Sequence, residues 1–132
     1  MPPRSAKTDI FLKKHSDYQR AYAVARKGRV PLMGWFAARR EDVAPAGHGR
    51  QQPRDGMRIG LTVPVALGKA VDRNRIKRRM RAAVRGQNAE LLALPLDVIL
   101  HPRRAVLDCD FATLVREIEK ALREATRITK PR

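Results

Sequence analysis

Between Arg73 and Arg85 the stretch RNRIKRRMRAAVR carries seven Arg and Lys side chains and no carboxylate. At helical spacing such charges repel one another and destabilise the helix that holds them, unless an external anion neutralises them. Arg predominates, which suits forked contacts to phosphate or stacking on bases better than diffuse attraction. A merely solvated face would mix signs. Upstream, Tyr18 and Tyr22 stand four residues apart, on one face of a helix, with Arg20, Arg26 and Lys27 around the rim. Two readings are open for them: core residues with their hydroxyls at the edge, or a stacking face for unpaired bases. The chain offers no spacing for a reaction centre. His15, His48 and His101 are scattered, and the single cysteine, Cys109, can form neither an internal disulfide nor a Cys-rich metal site. Its expected place is half-buried at the start of a helix. An autonomous nuclease would need a carboxylate cluster for metal or a placed nucleophile and base, and Asp72 alone makes neither.

The whole chain repeats this local bias. Its 132 residues include 29 Lys and Arg against 13 Asp and Glu, a net charge of +16. Residues 1–85 carry 21 basic and 6 acidic side chains, residues 86–132 carry 8 and 7. A polyanion is therefore the expected partner, held mainly by the first two thirds of the chain. No apolar run approaches a membrane span, and the N-terminal MPPRSAKTDIFLKK lacks the apolar core of a secretory signal. The expectation is a cytoplasmic protein of one domain, residues 1–132, with no membrane partner.

The elements that must position these residues can be read in outline. SDYQRAYAVARKG predicts a helix over 17–27, with Ser16 and Gln19 as a capping box and Gly28 as its stop. VPLMGWFAARR fits a strand with Trp35 and Phe36 on opposite faces. EDVAPAGHGRQQPRDG, residues 41–56, reads as a long loop. RIGLTVPV predicts a strand with Ile59, Leu61 and Val63 inward and Arg58, Gly60 and Thr62 outward, ended by Pro64. Gly68, Asp72 and Gly86 bound a helix over 70–85. At 100° per residue, Ile76, Met80, Ala83 and Val84 form its apolar stripe, while Asn74, Arg75, Arg78, Arg81 and Arg85 occupy the opposite side. LDVILHP suits a buried strand. DFATLVREIEKALREA is an amphipathic helix with Phe111, Leu114, Val115, Ile118, Leu122 and Ala125 on its apolar face, Asp108 or Asp110 as cap, and an i,i+4 pair of Glu119 with Arg123. Both chain ends look frayed and basic.

In this order, RIGLTVPVALGKAVDRNRIKRRMRAAVR resembles the signature of the protein subunit of bacterial ribonuclease P. The matching features are an apolar strand, a glycine, a short spacer, and Arg73, Asn74, Arg75, Lys77 and Arg78 at the start of a basic helix. The likeness includes LKKHSDYQRAY and VILHPRRAV and spans a core of about residues 10–127. It implies an α/β (α+β) two-layer sandwich of αβββαβα order with a left-handed βαβ crossover, ribosomal protein S5 domain 2-like. One strand of that order, near Val30, is not visible in the pattern. The resemblance further implies that an RNA subunit holds the active site and removes the 5′ leader of precursor tRNA with Mg2+, held mainly by RNA and without protein ligands. Arg73, Asn74, Arg75, Lys77, Arg78, Arg81 and Arg85 would then contact the catalytic RNA subunit. Tyr18, Tyr22, Trp35, Phe36, Arg58 and Lys69 would line the cleft for the leader, which favours the stacking reading of the tyrosines. Pro64, Val65 and Ala66 stand where the family usually has Ser-Lys-Lys, so phosphate contacts from those lysines fall to Lys69 or are missing, and the 41–56 loop is long for the family. The alternative is a ribosomal-type structural RNA-binding protein without a role in tRNA processing. DNA is not an expected partner, because strands and not a helix-turn-helix pair precede the basic helix.

Overall fold

The computed structural model describes residues 10–45 and 56–130. The N-terminal end expected to fray, His48 and most of the expected 41–56 loop lie outside the described residues, and of the C-terminal TKPR only Thr129, the last residue of the final helix, and Lys130 are described. The chain runs α1 (His15–Val24), β1 (Arg26–Val30), β2 (Met33–Arg39), β3 (Arg58–Leu61), α2 (Ala70–Arg85), a short α3 (Ala89–Leu92), β4 (Leu96–Pro102) and α4 (Phe111–Thr129). Apart from α3 this is the expected αβββαβα order, and the strand hidden in the sequence is β1, which ends on Val30.

The strands lie in the order β1-β2-β4-β3, antiparallel except for the parallel β3–β4 pair. Parallel neighbours require a crossover, and α2 with α3 supplies it. Residues 10–12 extend the sheet beyond β3: the Ile59 N–H donates to the Ile10 carbonyl at 2.7 Å, and the Leu12 N–H donates to the Ile59 carbonyl at 2.7 Å.

Strand alternation divides the side chains between two faces. Trp35, Ile59, Val98 and Leu100 enter the main core with Ile76, Met80, Ala83 and Val84 of α2 and Leu114, Ile118, Leu122 and Ala125 of α4, so α2 buries the stripe its periodicity indicates and α4 most of its own. Gln87 ties the end of α2 to α4, donating to the Ala83 carbonyl at 3.1 Å and the Val115 carbonyl at 3.0 Å. Phe36 and Ile99 turn to the other face, where α1 and its approach add Leu12, Tyr18, Ala21 and Tyr22. α1 covers only part of that face, and Phe36, Thr62 and His101 beside it stay half-buried.

Several local expectations need correction. The first helix stops at Val24, and Gly28 lies inside β1 opposite Trp35. A Cβ at Gly28 would come within 2.4 Å of Trp35 Cζ2, so glycine is there to let the strand pair close over the indole, not to end a helix. The Ser16/Gln19 capping box does not form, since Lys14 is the N-cap residue and makes no side-chain cap bond. Gly60 is not solvent-facing: the Tyr18 ring lies on it, and a Cβ there would be 2.8 Å from Tyr18 Cε2. Leu61 and Val63 are half-buried against the core. Phe111 is 43% exposed rather than core, with the Arg79 guanidinium 5.9 Å from its ring centroid.

Candidate RNA-binding surfaces

The basic helix α2 begins after a turn that only glycine can make easily. Gly68 has φ +141°, and a Cβ on it would meet Arg104 Nη1 at 2.4 Å. Arg104 reaches across from the turn after β4, donating to the Leu67 carbonyl at 2.6 Å and pairing with Asp72 at 3.5 Å. This fixes the start of α2 against the rest of the molecule. Lys69, the N-cap residue, is exposed at this end of the helix.

Along α2 the seven cations are not equivalent. Asn74, Arg75, Arg78, Arg81 and Arg85 are exposed and Lys77 is half-buried. The side chains of Asn74, Arg75, Lys77 and Arg78 make no hydrogen bond or ion pair with the described residues. Arg73 is half-buried and folds back, its Nε donating to the Gly68 carbonyl at 3.0 Å. Arg81 and Arg85 lie over the ring of Phe11, at 5.9 Å and 5.0 Å from its centroid. Arg79 is scaffold: its guanidinium donates to the carbonyls of Val106, at 3.0 Å, and Cys109. Cys109 is half-buried just ahead of α4, as expected. The result is a ridge of phosphate-compatible donors whose opposite side is locked into the core.

The second surface lies on the α1 side of the sheet. Tyr22, Phe36 and His101 pack ring against ring, with centroids 5.1 Å apart for Tyr22–Phe36 and 5.0 Å for Phe36–His101. The Tyr22 hydroxyl is 2.8 Å from His101 Nε2 and 3.3 Å from Thr62 Oγ1. All four residues are half-buried, so part of each remains open to a ligand. Tyr18, also half-buried, is held more firmly. Its hydroxyl accepts from the Leu61 N–H at 3.0 Å and donates to the Leu61 carbonyl at 3.2 Å, with the Leu12 carbonyl at 3.4 Å. Burial raises the Tyr18 pKa, and the Leu61 hydrogen bond partly opposes that rise. Burial also lowers the pKa of His101, which keeps the imidazole neutral at neutral pH.

Two cleft assignments fail on geometry. Trp35 is fully buried on the other face of the sheet, its Nε1 donating to Glu124 Oε1 of α4 at 3.1 Å, and cannot line the surface that Phe36 lines. Arg58 is committed to Asp97, which it grips with Nε at 2.8 Å and Nη2 at 2.6 Å. Asp97 is completely buried, Arg40 Nε stands 3.7 Å from it, and Arg40 also donates to the Gly56 carbonyl at 3.1 Å. The bond to Asp97 raises the Arg58 pKa, so this guanidinium serves the fold as a permanent cation rather than the cleft as a phosphate clamp. Lys69 stands at the head of α2 and makes no contact with the cleft rings. Conversely, His101 belongs to the cleft although no spacing marked it; counting alternate residues along β4 from Ile99 places it there.

The sequence and the fold agree with known proteins. A family model described as Ribonuclease P matches residues 7–126. The ribonuclease P protein component of Paramagnetospirillum magneticum is 31% identical over 119 residues, covering 90% of this chain and 84% of that protein. That of Gluconacetobacter diazotrophicus is 34% identical over 114 residues, covering 86% and 89%. Among solved structures, the Staphylococcus aureus RNase P protein aligns with a TM-score of 0.66 at 25% identity, covering 88% of this chain and 94% of that one. The Thermotoga maritima RNase P protein shares the fold, with a TM-score of 0.66 at 20% identity over 86% of this chain and 94% of its own. By its signature helix, its architecture and its relatives, the chain belongs to the bacterial ribonuclease P protein family.

Proposed function

We propose that this ribonuclease P subunit acts as a cationic bridge between two RNAs, with the catalytic centre carried by the RNA subunit. The α2 ridge, from Arg73 to Arg85, docks on that RNA. The cleft of Tyr18, Tyr22 and Phe36, with His101 added, holds the single-stranded 5′ leader of precursor tRNA. The observation that carries this reading is the α2 ridge itself: exposed donors without interspersed carboxylates, on a helix whose other side is fully buried. Stacking on aromatic rings tolerates any base, which suits a leader of variable sequence. Each phosphate neutralised releases counterions, so assembly depends steeply on salt.

Magnesium in this reading belongs to the RNA. Among the described residues no three His, Cys, Asp or Glu side chains come together. The carboxylates near the two surfaces are engaged by arginines, Asp72 by Arg104 and Asp17 by Arg20. Such a donor set does not fit the hard-oxygen cage that Mg2+ prefers. The chain instead reduces repulsion between the two RNAs, which lowers the magnesium needed. No helix among the described residues is long and apolar enough to cross a membrane, and we assign the work to the cytoplasm. The names of the relatives favour this reading over a ribosomal-type one.

The test is cleavage of a precursor tRNA by the cognate RNA subunit at low magnesium, with and without the protein. Marked stimulation with correct 5′ ends is expected. Tight RNA binding without stimulation would refute the proposal and leave a purely structural RNA-binding role.

A further inference from the structure

We propose that Phe11 is a positioning residue for the α2 ridge, making the segment before α1 a working part of the contact with the RNA subunit. Phe11 lies between two backbone hydrogen bonds that fasten residues 10–12 to Ile59 on β3, each 2.7 Å long. Leu12, next to it, is buried in the small cluster under α1. The ring therefore rides on a fixed backbone. Over it lie two consecutive turns of the ridge, Arg85 at 5.0 Å and Arg81 at 5.9 Å from the centroid. An Arg stacked on an aromatic face keeps its edge donors free for phosphate while losing rotamer freedom before binding. Arg75 and Arg78 have no such platform among the described residues, so Phe11 divides the ridge into a pre-set half and an adaptable half.

This inference rests on the proposed docking of α2 on the RNA subunit, and the experiment separates the two. Full-length variants Phe11→Leu, which keeps apolar bulk but loses the aromatic face, and Phe11→Tyr, which keeps the face, are titrated with the cognate ribonuclease P RNA. Thermal melts verify that each is folded. Phe11→Leu is expected to weaken binding about three- to tenfold, the worth of one or two partly exposed cation–π contacts. Phe11→Tyr should restore wild-type affinity, a rescue that a gap-filling role confined to the core edge would not require. In an Arg81→Ala/Arg85→Ala background, Phe11→Leu should add no further loss. Wild-type binding by Phe11→Leu, or an equal loss in the arginine-free background, overturns the positioning role and leaves the docking intact. Wild-type binding by Arg81→Ala/Arg85→Ala overturns this inference and removes those two arginines from the docking surface as well.

Discussion

Replacing Arg75 and Arg78 together by Ala should separate stability from function in opposite directions. Both side chains are exposed and make no hydrogen bond or ion pair with the described residues. They stand three apart on one helix, so their mutual repulsion opposes the fold by about 0.2–0.5 kcal/mol. Ala also has the highest helix propensity. The melting temperature of the double variant should therefore hold or rise. Binding to the RNA subunit should fall. If each arginine neutralises one phosphate, each contributes about 0.7–0.9 to the slope of log K against log salt, so the pair contributes about 1.4–1.8. Extrapolated to 0.1 M salt, that corresponds to a loss of roughly 25- to 60-fold. Filter binding or fluorescence titration across a range of salt concentrations measures both quantities. Arg79→Ala is the internal control: it forfeits hydrogen bonds to the Val106 and Cys109 carbonyls, and should lower stability while leaving the slope unchanged. An unchanged slope for the double variant, or an affinity loss without a slope change, would refute the phosphate assignment of the ridge.

Phe36→Leu keeps apolar volume in the cleft but removes its flat face, and should weaken binding of leader-bearing precursor by up to about 1–3 kcal/mol, the worth of one stacked base. Mature tRNA lacking the leader, compared in the same titration, should be unaffected; an equal loss for both would remove Phe36 from leader recognition. Burial holds the folded-state pKa of His101 below its ordinary value of 6.5, so the unfolded chain binds more protons as the solution is acidified. The stability associated with neutral His101 is complete above pH 6.5 and is lost as pH falls through the lower folded-state value. Melting temperatures of wild type and His101→Gln, compared between pH 7.5 and 5, should diverge in slope, and parallel curves would contradict the assignment.

The strongest amphipathic patterns were legible because a single periodicity decided them. α2 occupies the span that Gly68 and Gly86 bracket, and its buried residues are those of the stripe. α4 likewise buries most of its stripe, and Glu119 pairs with Arg123 at 2.8 Å. β1 was illegible because RKGRV alternates nothing: its Arg26, Lys27 and Arg29 are exposed at the sheet edge, and its glycine answers to an indole on the next strand. Alternation told that Trp35 and Phe36 part company, but not which face α1 would leave open. The role of Arg58 depends on Asp97, 39 residues away; a long-range ion pair has no local signature. His101 became a cleft residue through its register opposite Gly34 of β2 and the bond to Tyr22, neither of which local spacing encodes.

The grip of Arg58 and Arg40 on Asp97 has a consequence for how this chain can be altered. Arg40, as the chain leaves the sheet, and Gly56, as it returns, are fastened to each other, while Gly56 and Met57 are hydrogen-bonded to the carbonyls of Ala93 and Leu92. The cleft is thereby insulated from the length of whatever lies between the two anchor points. Doubling such a connection costs only about 0.6 kcal/mol in closure entropy, and none of that change needs to propagate past Asp97. A change of chain length between the anchors Arg40 and Gly56 is therefore expected to leave both RNA-binding surfaces undisturbed.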